Sequence, residues 1–194
     1  AVATRGHGKS EVGTEPVTYE QRVNDAYSVI QAVTKDSVIV LGFSDGAYTG
    51  YKLASMYPAT VKKLIAIGAG EQYPSLRKVV VDTDKMKTEN PEGWRRRLAS
   101  AAEPDKVEIN FKRMEHFYNT MKADKALFNS IKCPVLVMSG EHDLNALLPT
   151  VISTYNMIPN SQLSIIPNAP HPVFMVNFPA VWASIVPFLE KQSE

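Results

Sequence analysis

The sequence has 194 residues, of which 44% are hydrophobic and 21% are charged, and its formal net charge at pH 7 is +1. These values are ordinary for one globular domain with a sizeable core, so they exclude disordered and fibrous proteins. A net charge this small provides no general attraction to nucleic acid or to an anionic membrane.

The first predicted helix begins after Thr18. Thr18 and Gln21 have the spacing of a capping box, in which a side-chain oxygen accepts from a backbone N–H at the helix start. The apolar residues of one face of this helix are Val23, Ala26, Tyr27, Ile30 and Val33. Their spacing is typical of an amphipathic helix packed on a core.

Residues 38–47 contain an apolar run followed by Gly-x-Ser-x-Gly, with Ser44 at the centre of the motif. A helix-like segment up to Tyr57-Pro58 follows, so the motif lies between a predicted strand and a predicted helix. In that context the motif forms a sharp, strained turn that exposes the serine hydroxyl to a base. We expect Gly42 and Gly46 to be required because a Cβ at either position would collide with the opposite arm of the turn.

Strand-like and helix-like segments alternate, which favours a mostly parallel sheet with helices on both faces. A strand is predicted at residues 63–68, and the alternation then stops. Residues 71–132 have the pattern of several helices, broken at Asn90-Pro91 and Glu103-Pro104. We predict a helical insertion there, with residues 1–70 and 133–194 forming the α/β core.

Two further apolar runs, residues 134–138 and 162–166, are predicted to be buried strands, and a closing helix is predicted from Phe178 to Leu189. Asp143 follows the first of these strands, and His171 follows the second. The chain order serine, aspartate, histidine differs from the orders of the chymotrypsin and subtilisin types and is that of α/β-hydrolase triads.

With these motifs the chain resembles the α/β-hydrolase superfamily, in its branch of small cap-bearing esterases, haloperoxidase-like enzymes and biphenyl-hydrolase-like proteins. Residues 4–10, Thr-Arg-Gly-His-Gly-Lys-Ser, also match a signature that follows the fourth strand of that family. The resemblance implies an α/β-hydrolase fold, with a mostly parallel sheet between helices and with residues 71–132 as a small helical lid.

The resemblance also implies roles for individual residues. Ser44 would be the nucleophile, His171 the general base, and Asp143 the acid that holds the imidazole in the useful tautomer. The backbone N–H of Asp45 would donate to the oxyanion, because it follows the nucleophile at a helix start. No metal or organic cofactor is implied.

Other assignments of the triad stay open at this point. Glu141 and Glu71 are alternative acids, and His142 is a second histidine beside a candidate acid. His7 belongs to the glycine-rich turn at residues 4–10, and His116 is expected to lie on a lid helix.

Four residues are the predicted substrate contacts. Phe43 and Leu144 adjoin Ser44 and Asp143 in the sequence, whereas Trp94 and Phe117 lie in the predicted lid. For any one lid residue, packing of the lid on the core is the preferred explanation of its apolar side chain.

The sequence departs from the family pattern at its N-terminal end. Ala3 stands where the signature has aspartate, and the match begins at the fourth strand. The family's first three strands, and the segment that gives a second oxyanion hydrogen bond, have no counterpart. We therefore expect an N-terminal segment or a second chain to complete the sheet, because an empty strand position would leave backbone groups unpaired.

Three functions are compatible with the sequence. The first is a serine hydrolase that cleaves a small ester, thioester, lactone or related acyl compound. The second is a non-catalytic ligand-binding or interaction protein of the same fold. The third is a nucleotide-binding protein, because residues 3–10 satisfy a loose P-loop pattern. Gly13 and Pro16 follow that segment, so the helix that a P-loop requires is not predicted there.

Cys133 is the only cysteine, so the chain forms no internal disulfide. At the start of an apolar strand we expect it to be a buried, unreactive thiol. No apolar run approaches the length of a membrane span, and a cytoplasmic location is the default expectation.

Overall fold

The computed structural model describes residues 1–76 and 78–190. This part of the chain divides into two compact units. The helical unit consists of Ala1–Ala32 and Tyr73–Lys122, and the sheet unit consists of Val33–Gln72 and the residues from Ala123 onward.

The sheet unit contains a four-stranded sheet in which the strands are parallel and are arranged in the order β1-β2-β3-β4. The strands are β1 (Val38–Phe43), β2 (Val61–Ile67), β3 (Val135–Gly140) and β4 (Ser161–Ile166). The helices are α2 (Asp45–Met56), α6 (Lys125–Ser130), α7 (Leu148–Met157), α8 (Val173–Val176) and α9 (Phe178–Glu190). All four strands agree with the sequence prediction to within a few residues.

The core of the sheet unit lies around β2 and β3. Every residue of β3 is buried, as expected for a parallel strand with helices on both faces. Ile65 and Met138 belong to a buried apolar cluster that includes Val181, Ile185 and Phe188 of α9. α2 packs against β1 and β2. The carboxyl ends of the strands are thereby held at one edge of the sheet.

β1 forms an edge of the sheet, and no described residue outside β2 pairs with it as a strand. Ile39 and Leu41 are 49% and 58% exposed. Leu41 is in register with Ile65, so it points to the sheet face that α9 covers over the inner strands. An uncharged edge strand with exposed apolar side chains is suited to pairing with another strand. Completion of the sheet by a further segment or a second chain stays a prediction.

The helical unit contains α1 (Tyr19–Val33), α3 (Thr83–Glu89), α4 (Pro91–Ser100), a 3-10 turn (Pro104–Lys106) and α5 (Val107–Thr120). The predicted cap of α1 is confirmed, because the N–H of Gln21 donates to the Thr18 hydroxyl at 3.1 Å. On the predicted apolar face Val23 is fully buried, whereas Val33, at the end of the helix, is 81% exposed.

Both predicted helix breaks in this unit are confirmed. Asn90 ends α3 and caps α4, because its side-chain oxygen accepts from the N–H of Gly93 at 2.9 Å. The break at Glu103-Pro104 is the start of the 3-10 turn. The boundaries of a core and a lid stay a prediction. No helix in the described ranges is long and apolar enough to cross a membrane.

The thiol of Cys133 is free and buried. Burial raises its pKa to about 11, so only about a thousandth of it is ionised at pH 8. We expect iodoacetamide at pH 8 to alkylate the folded protein very slowly and the urea-unfolded protein readily, as followed by mass spectrometry. Rapid stoichiometric alkylation of the folded chain would contradict this assignment of an unreactive thiol.

Candidate active site

Ser44 occupies a strained turn between β1 and α2. Its φ is 53° and its ψ is −115°, a combination that a residue with a side chain rarely adopts. The N–H of Ser44 donates to the carbonyl of Ile67 at 2.8 Å, which ties the turn to the end of β2. The hydroxyl does not cap α2. The turn thus directs the hydroxyl away from the backbone, as expected for a nucleophile elbow.

The two glycines of the motif have different surroundings. A Cβ on Gly42 would lie 2.3 Å from the carbonyl oxygen of Gly46, so the predicted collision is confirmed at this position. The same prediction is wrong for Gly46, because, apart from its chain neighbours and the backbone of its own helix, no atom lies within 4 Å of the position of its Cβ. Gly46 is already in the first turn of α2, and its Cβ would point into open space.

The structure brings Ser44, Asp143 and His171 together at the carboxyl ends of β1, β3 and β4. The Nδ1 of His171 is 2.8 Å from Asp143 Oδ2, and its Nε2 is 2.9 Å from Ser44 Oγ. A carboxylate only accepts hydrogen bonds, so Nδ1 carries the proton and donates it. Nε2 is then left to accept from the serine hydroxyl. In this arrangement the imidazole can take a proton from Ser44.

Asp143 is held by more than the histidine. It is 2% exposed, and its Oδ1 accepts from the N–H groups of Asn145 and Ala146, both at 2.8 Å. Ser139 donates its hydroxyl to Oδ2 at 3.1 Å. Burial by itself raises the pKa of Asp143, but the hydrogen bonds from His171, Ala146 and Asn145 and the charge of His171 outweigh it. The net pKa lies below the ordinary 3.8. The carboxyl group is therefore ionised at neutral pH.

The residues that the sequence offered as alternatives for the triad have different surroundings. Glu141 accepts from the N–H of Asn168 at 2.9 Å, and Glu71 accepts from the hydroxyl of Ser153 at 2.8 Å. His142 is exposed. Of the three candidate acids, Asp143 is the one whose carboxylate bonds to His171 in the described part of the chain.

The remaining histidines belong to the helical unit. His7 lies in the glycine-rich turn, where its Nδ1 is 3.2 Å from the Thr4 hydroxyl oxygen and from the carbonyl oxygen of Arg5. His116 lies on α5 and is exposed.

The predicted substrate contacts and the predicted oxyanion donor are divided between the sheet unit and the helical unit. In the sheet unit, the ring of Phe43 is beside His171, Leu144 is 80% exposed, and Asp45 is the first residue of α2. The helix dipole favours negative charge at that N-terminus. In the helical unit, Trp94 stacks on Phe111, while Phe117 is 3% exposed. Phe117 packs edge-on against Tyr19, which by itself explains an aromatic residue there. The substrate contacts and the oxyanion role stay predictions.

The glycine-rich segment near the start of the chain lacks the geometry of a phosphate-binding loop. The next helix in the chain begins only at Tyr19, so residues 4–10 do not lead directly into a helix N-terminus, as a phosphate-binding loop does. The guanidinium of Arg5 donates two hydrogen bonds to Asp25, at 2.6 and 2.9 Å. Neither observation favours the nucleotide-binding alternative. In the described ranges no three His, Cys, Asp or Glu residues are grouped to hold a metal ion.

Three residues around the site were not predicted from the sequence. Ser139 donates to Asp143, Phe174 packs against Phe43, and Gly68 lies against the imidazole of His171. Two of them had a sequence signal, because Ser139 directly follows the strand predicted at residues 134–138 and Gly68 is the last residue of the strand predicted at residues 63–68.

A family model described as alpha/beta hydrolase fold matches residues 3–126, which is more than half of the chain. A search of curated proteins gives no significant match.

Solved structures resemble the chain over nearly its whole length. The enol-lactonase from Burkholderia xenovorans LB400 is 21% identical with a TM-score of 0.70, over 97% of this chain and 79% of that one. A bromoperoxidase from Bacillus anthracis is 19% identical with a TM-score of 0.74, over 97% and 80%. A thermophilic esterase from Thermogutta terrifontis is 20% identical with a TM-score of 0.72, over 96% and 77%. These likenesses confirm the predicted fold.

Proposed function

Because this chain belongs to the alpha/beta hydrolase fold family, we propose that it is a serine hydrolase with the triad Ser44, His171 and Asp143. The observation that carries the proposal is the chain of hydrogen bonds from the serine hydroxyl through the imidazole to a buried carboxylate. Membership of the family supports hydrolase activity, and the geometry supports these three residues as its machinery.

The proposed substrate is a small ester, thioester, lactone or related acyl compound. The lactonase and the esterase among the similar structures act on compounds of this kind, as their names state. A serine nucleophile acts on such a substrate by forming an acyl-enzyme, which divides one difficult hydrolysis into two easier steps.

In the first step Ser44 Oγ would attack the carbonyl carbon while its proton passes to Nε2 of His171. The buried carboxylate of Asp143 would stabilise the imidazolium that forms. The N–H of Asp45 would donate to the oxyanion at the start of α2, where the helix dipole also favours negative charge. The imidazolium would then protonate the leaving group as the bond from the carbonyl carbon breaks.

In the second step water replaces the leaving group. The neutral imidazole would take a proton from this water, whose oxygen attacks the acyl carbon, and Nε2 would return the proton to Ser44 Oγ. The products are the free acid and the regenerated hydroxyl. The same groups thus serve both halves of the reaction, with no net change in the protein.

The test is covalent labelling with a fluorophosphonate probe. We expect Ser44 Oγ of the folded chain to attack the phosphorus of the probe and to displace fluoride. Peptide mass spectrometry should then locate the phosphonyl group on Ser44. Heat-unfolded protein should stay unlabelled because the three side chains no longer meet. A folded chain that is never labelled at Ser44 would overturn the proposal. Tight binding of acyl esters by such an unlabelled chain would favour the non-catalytic alternative.

A further inference from the structure

Gly68 follows the last residue of β2 and has a left-handed backbone conformation, with φ at +68°. Its N–H donates to the carbonyl of Met138 at 2.8 Å, so its position is fixed by the neighbouring strand β3. Side chains with a Cβ are disfavoured at such a φ, and glycine is not. The backbone alone thus explains part of the need for glycine at this position.

The second reason is spatial and concerns His171. A Cβ on Gly68 would lie 3.0 Å from Cε1 and 3.1 Å from Nδ1 of the imidazole. It would also lie 3.3 Å from Cε2 of Phe43. All three distances are shorter than ordinary van der Waals contact, which begins at about 3.5 Å between carbon atoms. The imidazole therefore occupies space that is available only because residue 68 has no side chain.

The imidazole has little freedom to yield to such a methyl group. Its two nitrogens are bonded to Asp143 and Ser44 at 2.8 and 2.9 Å. The ring of Phe43 lies against it, with centroids 4.7 Å apart. Phe43 is in turn held by Phe174, whose ring meets it edge-on at 4.8 Å. A displaced imidazole would have to lengthen at least one of its hydrogen bonds or move Phe43.

We propose that Gly68 is a positioning residue, whose missing side chain lets the imidazole of His171 stand between Ser44 and Asp143. Its catalytic consequence depends on the serine hydrolase function proposed above. In this proposal Gly68 acts through the position of the imidazole, because the atoms nearest to the position of its Cβ belong to His171 and Phe43. Misplacement of a catalytic group by about 1 Å costs up to about 10²-fold in rate. A shift of a few tenths of an ångström should therefore cost about tenfold.

The test is the Gly68→Ala variant, with Gly8→Ala as its matched control. Gly8 also has a positive φ, +54°, but the nearest atom to the position of its Cβ is 4.0 Å away. Both variants therefore acquire a similar backbone strain, while only Gly68→Ala adds a methyl group against the imidazole. We expect Gly68→Ala to lower kcat for p-nitrophenyl acetate, and the rate of fluorophosphonate labelling, by about tenfold with KM little changed. Gly8→Ala should leave both rates within about twofold.

A spectroscopic measurement separates positioning from a general loss of structure. The proton between His171 Nδ1 and Asp143 Oδ2, which are 2.8 Å apart, is expected to give a low-field proton resonance, and we expect Gly68→Ala, but not Gly8→Ala, to shift or remove it. If Gly68→Ala does not fold, Gly68→Asn is used, because asparagine tolerates a left-handed backbone but still carries a Cβ. A folded variant whose rates and resonance match those of Gly8→Ala overturns the proposal.

The same experiment distinguishes failure of this inference from failure of the proposed function. If the unaltered protein labels at Ser44 and Gly68→Ala labels equally fast, the inference alone is wrong. If the unaltered protein is never labelled, the proposed function is wrong. The resonance needs no turnover, so it still decides whether Gly68 places the imidazole.

Discussion

Replacing Ser44 with alanine is expected to lower kcat for p-nitrophenyl acetate by at least about 10⁴-fold and to abolish fluorophosphonate labelling. The reason is that the hydroxyl supplies the electron pair that forms the acyl-enzyme, and no other group in the hydrogen-bonded chain replaces it. Stability should change little. Alanine has a Cβ as serine does, so the strain of the backbone at a φ of 53° is the same in both proteins. The change removes the hydrogen bond to His171, which contributes about 1 kcal/mol to the free energy of unfolding.

A serine in the same unit provides the matched control. Ser164, on β4, is partly buried, and its hydroxyl shares a 2.8 Å hydrogen bond with that of Ser184. Ser164→Ala therefore removes a comparable interaction away from the triad, and kcat should stay within about twofold. Initial rates at saturating ester, with circular dichroism to verify folding, would measure both variants. Retention of more than a tenth of the activity in folded Ser44→Ala would exclude Ser44 as the nucleophile.

The features predicted well from the sequence are those encoded by a few neighbouring residues. Each buried strand is an apolar run, and the Thr18 cap and the Asn90-Pro91 break are signalled within one helical turn. The three residues of the site could be chosen because parallel strands bring their carboxyl ends to one edge. Polar residues that follow such strands are therefore candidates to meet, however far apart they lie in the chain.

The features that were missed depend on the distances between side chains of different segments. Nothing near Ser139 in the sequence shows that its hydroxyl donates to Asp143, and nothing near Gly68 shows that an imidazole lies against it. The error at Gly46 has a similar origin. The motif contains both glycines and does not distinguish between them. Only the three-dimensional turn shows that the backbone of residue 46 lies close to the Cβ position of Gly42, whereas the Cβ position of Gly46 faces open space.

Replacing Asp143 with asparagine is expected to lower kcat by about 10⁴-fold, because it would reverse the proton positions on His171. The N–H groups of Asn145 and Ala146 both donate to Oδ1, so the amide oxygen of the new side chain would be kept at that place. The amide NH₂ would then face Nδ1 of His171. Nδ1 would have to accept, the proton would move to Nε2, and the imidazole could no longer take a proton from Ser44.

The control for this change is Glu141→Gln, which makes the same conversion of carboxylate to amide nearby in the sequence. Glu141 accepts from the N–H of Asn168, so kcat should fall by no more than about threefold. Initial ester hydrolysis rates near pH 7.5 would measure both variants. A large loss of kcat in Glu141→Gln with little loss in Asp143→Asn would mean that Glu141, and not Asp143, is the acid of the triad.

The same aspartate should also make stability depend on pH in a defined direction. The pKa of Asp143 in the folded protein lies below its ordinary value of 3.8, so the ionised group favours the folded state above pH 3.8. That contribution is lost as the pH falls through the folded pKa. Urea unfolding of the unaltered protein should therefore show a larger loss of stability between about pH 5 and pH 3 than Asp143→Asn shows. An equal loss in both proteins would mean that the contacts of the carboxylate with His171, Asn145 and Ala146 do not stabilise its charge, which would remove the electrostatic basis for an imidazolium in this site.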